Sequence, residues 1–455
     1  MKVSILTVFP AFYNEFLSTS LVKLAQDRGL VEFNFVEFAS LCQPGKRIDE
    51  PTVGPGPGMI LKPEIVEKAI EKCEKEHGFG LKIFFSPQGQ KLSQPIFRQF
   101  SELLQVEPCE EDKNSGSGGN AKHIILVCAR YEGIDARVEE EFADFVFSIG
   151  DYVLMGGDLP AQVFLEGLLR LLPGVLGNEE SAKTESFETP FFDHPEYGLP
   201  VEWKGEKIPD VVQSGHHKEI ALWRKKEAAE KTLLNRFDWF RSQDEISKND
   251  LDLAKSIIPP HYVVLMHGRV VVKGKNCSTT SVASLDLHDI ARACATFGVK
   301  NFFVVTPLLD QQSIVKEFIS FWTDESGKKF NYSRFQAVSK LILCSSLDEV
   351  KERIRAQDGD LPLMITTSAK QHDHEKVITY NDQGRVWKEK KPILMVIGTG
   401  QGLEEDLVQE SDFLLTSIDG MSDYNHLSVR AATGIILDRW LGLQPQRRVL
   451  GAKKL

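Results

Sequence analysis

The chain has 455 residues, 42% of them hydrophobic, and 54 Lys and Arg stand against 65 Asp and Glu for a net charge of −11. That length exceeds one ordinary core and implies two or three domains. The acidity excludes a uniformly basic nucleic-acid binder, so any RNA must meet a local cation patch, and no DNA partner is expected. No apolar run approaches the roughly 20 residues that cross a bilayer, and the chain opens on a strand-like pattern from Lys2 to Phe9, so a cytoplasmic protein without a targeting segment is expected. The seven cysteines are scattered without a Cys-x-x-Cys pair, which argues against a zinc site or a disulfide framework.

In chain order, short apolar strands at Leu81 to Phe85 and Ile124 to Cys128 follow the first, with an amphipathic helix before residue 106. Residues 106 to 121 are acidic, then rich in Gly and Ser, and read as a surface loop inserted within a domain. Three strand ends run into Gly- and Pro-rich turns: Ser86-Pro87-Gln88-Gly89, Ala129-Arg130-Tyr131-Glu132-Gly133 and Ile149-Gly150-Asp151. Ligands of open parallel sheets sit at such carboxyl ends. A fourth loop, residues 53–59, alternates Gly and Pro and is stiff enough to approach a flat ligand with its backbone. The helix from Pro160 to Leu172 is apolar on nearly every side, too much for a monomer's surface. Residues 173 to 200 carry Pro, Gly and acids without sustained periodicity and read as a linker.

A helix is expected from Ser214-Gly215-His216-His217-Lys218 through Arg224 to Arg236, with Ser214 or Gly215 as its cap and its N-terminus offering donors to a phosphate. The plainer reading is a solvated charged helix. After Pro259-Pro260 a fresh strand at Tyr262 to Met266 opens a second α/β region, with strands at Asn301 to Val305, Leu341 to Cys344 and Ile393 to Ile397 alternating with helical patterns.

The stretches SPQG (86–89), ARYEGIDARV (129–138), SIGDYVLMGGDLPA (148–161) and PGVLGNEES (173–181) resemble the bacterial tRNA guanine-N1 methyltransferases, in family order, over about residues 1 to 240. The resemblance implies a trefoil-knotted α/β domain of the SPOUT type over 1–176, an interdomain linker carrying the catalytic acid over 177–200, and a small helical tRNA-binding domain over 201–255. It implies S-adenosyl-L-methionine as cofactor, held by Phe85, Ser86 and Pro87, by Ala129, Tyr131, Glu132 and Gly133, and by Ile149, Gly150, Asp151, Tyr152, Val153, Leu154, Gly156, Gly157 and Pro160. Ala129 stands where the family usually has Gly. Methyl transfer to guanine N1 needs a base for the N1 proton and a cation or donor near O6. By position these are Glu185 and Arg170, with Glu185 in place of the family's Asp. A glutamate reaches one methylene further, and roughly 1 Å of misplacement costs about 10²-fold in rate. The resemblance further implies tRNA contacts from Ser214, Gly215, His216, Lys218 and Arg224, a requirement for Mg2+, and a homodimer with the active site at the subunit interface.

Residues 256–455 lie beyond the typical family enzyme. Asp286 to Arg292 on a helix, Gly398-Thr399-Gly400-Gln401-Gly402-Leu403 after a strand, and Tyr424 to Ala432 before an apolar helix resemble, in that order, the three motifs of the wider knotted RNA methyltransferases. The resemblance marks Gly398, Gly400, Gly402, Leu403, Asn425 and Ser428 as cofactor candidates of a second SPOUT-like α/β domain. A dinucleotide fold competes through its glycine pattern, but only 53 residues follow Gly402, too few for its later strands. A degenerate domain kept for RNA binding or stability is the plainer alternative. For the whole chain, the alternative is a non-catalytic RNA-binding or assembly protein.

Overall fold

The computed structural model describes residues 1–54, 58–105, 123–176, 185–273, 275–370, 372–446 and 450–451. The inserted segment 106–121 and the first part of the linker lie outside these. The chain divides into two compact units, Met1–Thr189 with Arg447–Leu455, and Pro190–Gln446.

In the first unit β1 (Lys2–Thr7), β2 (Glu32–Glu37), β3 (Leu81–Lys91), β4 (His123–Val127) and β5 (Phe145–Ser148) form one parallel sheet in the order β2-β1-β4-β3-β5. The central β4, His-Ile-Ile-Leu-Val, is buried along its whole length because helices cover both faces, as parallel sheets require. On one face α1 (Pro63–His77) packs Ile65, Val66, Ala69, Ile70 and Cys73 against Leu6, Phe84 and Val127. On the other, α2 (Gln94–Gln105) and α3 (Asp158–Leu169) bring Phe100 and Phe164 onto Phe145 and Phe147, with the Phe147 and Phe164 rings stacked at 5.6 Å.

β3 departs from the expected strand end. Phe85 and Gln90 both pair with Phe147, so Ser86 to Gly89 bulge out of a strand that then resumes to Lys91. Gly89 is needed where the bulge rejoins, since a Cβ there would stand 2.7 Å from the backbone of Val146 and Phe147.

The second unit holds a seven-stranded parallel sheet of β6 (His261–Met266), β7 (Asn301–Val305), β8 (Leu341–Cys344), β9 (Leu363–Thr367), β10 (Val377–Ile378), β11 (Ile393–Gly398) and β12 (Phe413–Leu415), in the order β8-β7-β6-β11-β9-β12-β10. With β8 and β10 set aside as edges, its five inner strands, taken in chain order, run 2-1-4-3-5, the same permutation as the first sheet. The second unit thus repeats the connectivity of the first.

Three helices that precede this sheet, α4 (His217–Asn235), α5 (Phe237–Arg241) and α6 (Lys248–Ile257), share its core: Ala229, Leu233, Phe237 and Phe240 belong to one buried cluster with Val263, Leu265 and Trp440. The buried Arg241 donates to the carbonyls of Asp438 (2.8 Å) and Arg439 (2.6 Å) near the end of α7 (Val429–Leu441), and so satisfies the Arg439 carbonyl that the helix leaves open and adds a second donor to the Asp438 carbonyl, which already takes the Gly442 N–H.

His261 is locked in the neutral form. Its Nδ1 lies 2.7 Å from the Pro259 carbonyl and must donate, while Trp440 Nε1–H donates to Nε2 at 3.0 Å. Burial pushes its pKa down from 6.5 to about 4. The unfolded chain therefore binds the proton first as pH falls, so the contribution is whole above pH 6.5 and shrinks toward pH 4, by about 3 kcal/mol for this one group. Urea unfolding followed by tryptophan fluorescence should show the midpoint falling between those pH values, and His261→Gln should flatten that fall.

Candidate active sites

Because β4, β3 and β5 are neighbours, their carboxyl ends open side by side, and a cavity of about 250 Å³ lies among them. Every residue expected to hold the cofactor lines it except Asp151, and Arg130, Phe147 and Ser148 join them. Asp151 faces outward, its carboxylate 2.5 Å from Lys91 Nζ.

The cavity walls are largely backbone drawn close together. Gly157 N–H donates to the Ala129 carbonyl at 2.8 Å, and a Cβ on Gly157 would sit 2.9 Å from the Ala129 nitrogen. Gly156 is equally confined, 2.8 Å from the Ala129 oxygen. Tyr131 and Gly133 take positive φ, 59° and 121°, which turns the chain so that Glu132 N–H meets the Met59 carbonyl at 2.9 Å. Ala129 keeps an ordinary negative-φ backbone, so the residue in place of the family Gly brings no backbone strain.

A buried carboxylate ties this floor together. Asp158, 1% exposed at the start of α3, accepts from Thr7 Oγ1 (2.6 Å) and Tyr13 OH (3.2 Å) through Oδ1, and from Arg130 Nε (2.9 Å) through Oδ2. Burial, with Cys128 and Asp158 adjoining, pushes the Tyr13 hydroxyl far above its usual range, so it stays a donor.

The two expected catalytic groups meet each other. Arg170 Nη2 donates to both carboxylate oxygens of Glu185, at 2.7 and 2.6 Å, and both side chains remain partly exposed. The segment after Glu185 is pinned to α2 by Glu188, which accepts from Gln94 Nε2 (2.9 Å) and Arg98 Nε (2.6 Å). Arg170 caps the far end of α3 from the cavity. Twelve residues at about 1.5 Å each put it roughly 18 Å along the helix from Asp158.

Along α3 the outward stripe Leu159, Val163 and Glu166 leads to Arg170, with Leu159 and Val163 each nearly half exposed. The helix is thus apolar on its solvent side as well as its core side. Among the expected RNA-binding residues, Ser214, Gly215, His216 and Lys218 are exposed, and Arg224 stands 3.7 Å from Glu196. The helix cap differs from expectation. α4 starts at His217 with His216 as its cap residue, and Ser214 Oγ instead accepts the His216 N–H at 3.1 Å, because Gly215 at φ 72° turns the chain before the helix begins.

In the second unit the ends of β11, β9 and β12 frame a larger cavity, about 810 Å³, lined by Gly398, Gly400, Gly402, Asn425 and Ser428 as expected. Leu403 does not line it; its side chain points into the core beside Val270 and Leu407. Ser428 also caps α7, accepting from Ala431 N–H. Asn425 Nδ2 donates to the Ala369 carbonyl at 3.2 Å and joins the loop after β12 to the loop after β9. His267, Thr280, Ser368 and Asp286 complete the wall and were not singled out as cofactor residues, since nothing in their spacing joins them. No group of three metal-ligating side chains occurs among the described residues.

Comparison with known proteins agrees with this geometry. The family model for tRNA (Guanine-1)-methyltransferase TrmD matches residues 1–107 and 111–242, and a model for SAM-dependent RNA methyltransferase matches residues 260–442. A tRNA (guanine-N(1)-)-methyltransferase of Nitratidesulfovibrio vulgaris is 34% identical over 448 residues, covering 97% of this chain and 99% of its own length. Its namesake in Oleidesulfovibrio alaskensis is 33% identical over the same shares. The one in Halalkalibacterium halodurans is 38% identical but covers 56% of this chain with 98% of its own, so the remainder of this chain has no counterpart there. With half the chain matched by one family model and full-length relatives of the same description, the chain belongs to the TrmD family of tRNA (guanine-1)-methyltransferases, and its second unit matches the SAM-dependent RNA methyltransferases.

Proposed function

We propose that the first unit methylates N1 of the guanosine 3′ to the anticodon of tRNA, with Glu185 as the base and Arg170 facing O6. The observation that carries this is the Arg170–Glu185 pair, whose side chains lie within 2.7 Å of each other. An N1–H beside a C6 carbonyl is one donor next to one acceptor, the complement of a carboxylate next to a guanidinium. Guanine entering the pair exchanges their mutual hydrogen bonds for its own. Glu185 then receives the N1 proton, and Arg170 stabilises the negative charge that collects on O6.

S-adenosyl-L-methionine, when bound, supplies the electrophilic methyl group. The backbone cradle of Gly156 and Gly157 against Ala129, where a Cβ on either glycine would collide, suits a cofactor held mainly by main-chain groups. Magnesium finds no such fit, since no carboxylate cage exists among the described residues, and no step is drawn through it.

The roughly 15 Å along α3 from Pro160, which lines the cavity, to Arg170 supports a homodimer in which the pair of one subunit serves the cavity of the other. The exposed Val153, Met155, Leu159 and Val163 offer the apolar surface for it. The exposed start of α4 supports the tRNA-binding reading for Ser214, Gly215, His216, Lys218 and Arg224. The 2-1-4-3-5 strand order supports a knotted SPOUT fold in both units. No described helix is long and apolar enough to cross a membrane, and a tRNA substrate supports a cytoplasmic reading.

Mass spectrometry of unmodified tRNA incubated with the protein and methyl-labelled cofactor should find label on the guanosine beside the anticodon; an unlabelled guanosine there overturns the reading. Glu185→Gln should lower that turnover by about 10²- to 10⁴-fold while cofactor affinity persists, and near-normal turnover removes Glu185 as the base. Light scattering should return twice the chain mass for the active species. Calorimetry with S-adenosyl-L-methionine should count two sites per chain and one in Gly400→Trp, because Gly400 has φ 65° and its Cβ would lie 2.9 Å from the Val271 oxygen.

A further inference from the structure

The segments that follow Phe85 in β3 and Thr367 at the end of β9 begin alike and then diverge. In the first, Ser86 Oγ accepts the Gln88 N–H at 3.3 Å; in the second, Ser368 Oγ accepts the Lys370 N–H at 3.0 Å. Both serines line their cavities. Ser368 alone continues into an acid–base chain. Its Oγ is 2.8 Å from His372 Nε2, and His372 Nδ1 is 2.6 Å from Glu405 Oε2.

The proton positions follow from who can donate. Glu405 Oε1 is taken by Gln409 Nε2 at 3.0 Å, and that bond together with His372 holds the Glu405 carboxyl below its ordinary range, so it is ionised and only accepts. His372 must then carry a proton on Nδ1, and in the neutral imidazole Nε2 is the nitrogen that accepts the Ser368 O–H. The imidazole is 9% exposed, whereas Glu405 is 58% exposed and can change its hydration as charge moves. A hydroxyl bonded to a bare imidazole nitrogen that a carboxylate orients is the arrangement of a hydroxyl primed to exchange its proton.

The cavity's other buried acid–base groups are poorly suited to the same task. Burial holds the His267 pKa at about 4, too low for an effective base at neutral pH, and its Nε2 is shut away from the cavity space. Asp286 is occupied by Arg430 at 3.1 Å.

We propose that Ser368, backed by His372 and Glu405, is the proton acceptor of the second cavity, taking the proton of a methyl-accepting N–H or O–H on a nucleotide. This rests on the second unit being an RNA methyltransferase. In the step, the nucleotide N or O forms a bond to the methyl carbon as the carbon–sulfur bond of the cofactor breaks, with its electron pair going to sulfur. The nucleotide's proton passes to Ser368 Oγ, whose own proton passes to His372 Nε2, and Glu405 balances the resulting imidazolium. Ser368 touches the nucleotide; His372 and Glu405 act through it.

The test uses the full chain carrying Glu185→Gln, so that the first site is silent, with total RNA from cells lacking the protein and methyl-labelled S-adenosyl-L-methionine. Ser368→Ala and His372→Gln should each lower label incorporation by about 100-fold, with cofactor affinity at the second site unchanged within about twofold and Ser368→Thr restoring incorporation. Nitrogen-15 NMR of labelled histidine should show His372 protonated on Nδ1 and bare on Nε2, with Glu405→Gln mixing the two tautomers. The proposal is overturned by a proton on Nε2, by undiminished incorporation in Ser368→Ala, by a matching loss of cofactor affinity, or by a loss that instead follows Asp423→Asn or His426→Gln, two groups that also line the cavity. If the parent chain labels no RNA, the methyltransferase reading of the second unit fails and the step falls with it, whereas the NMR result still decides whether the hydroxyl is primed.

Discussion

Setting the fourth strand between the first and the third brings the carboxyl ends of strands three, four and five together, and both cavities depend on that adjacency. Loops from sequence positions as distant as Ser86, Ala129 and Gly157 then line one cavity, with Gly157 N–H bonded to the Ala129 carbonyl. Such proximity leaves no room for side chains at the points of contact, so glycine stands where a Cβ would meet main chain. The resulting surface is rich in backbone groups.

The electrostatics follow the same logic of placement. Asp158 is buried, and a buried carboxylate survives only with partners; Thr7, Tyr13 and Arg130 supply them from three separate segments, which makes the charge a fastener for the cavity floor. Arg170 and Glu185 differ in being partly exposed, so their attraction is screened and contributes little to stability. A weak pair suits a site where an incoming base must part the two groups. In the second unit the corresponding charges are arranged differently, with Arg430 on Asp286 and Glu405 on His372.

Much of the architecture was legible in the residues. Continuous apolar runs such as Ile124 to Cys128 announce strands buried on both faces, and the Gly- and Pro-rich stretches after them announce the strand-end loops. Certain details went the other way. Ser86 to Gly89 are an excursion within a strand, since pairing of Gln90 and Lys91 with β5 resumes beyond them. Asp151 turns outward to Lys91 although its neighbours line the cavity, and Leu403 belongs to the core although the glycines before it do not. Ser214 serves the turn before the helix rather than the helix itself. In each case the local pattern is satisfied by two conformations, and packing selects one.

The sequence by itself determined the two parallel α/β regions and the helices between them, because apolar periodicity and turn chemistry are local properties carried by a few adjacent side chains; the residues of the first cavity were legible through the family resemblance of their motifs. Tertiary structure alone decided the repeated strand order, the sharing of one core by α4 to α6 and the second sheet, the meeting of Arg170 with Glu185, and the chain from Ser368 through His372 to Glu405. Those depend on groups far apart along the chain being brought within about 3 Å, a distance that no spacing of residues encodes until the backbone is closed around a core.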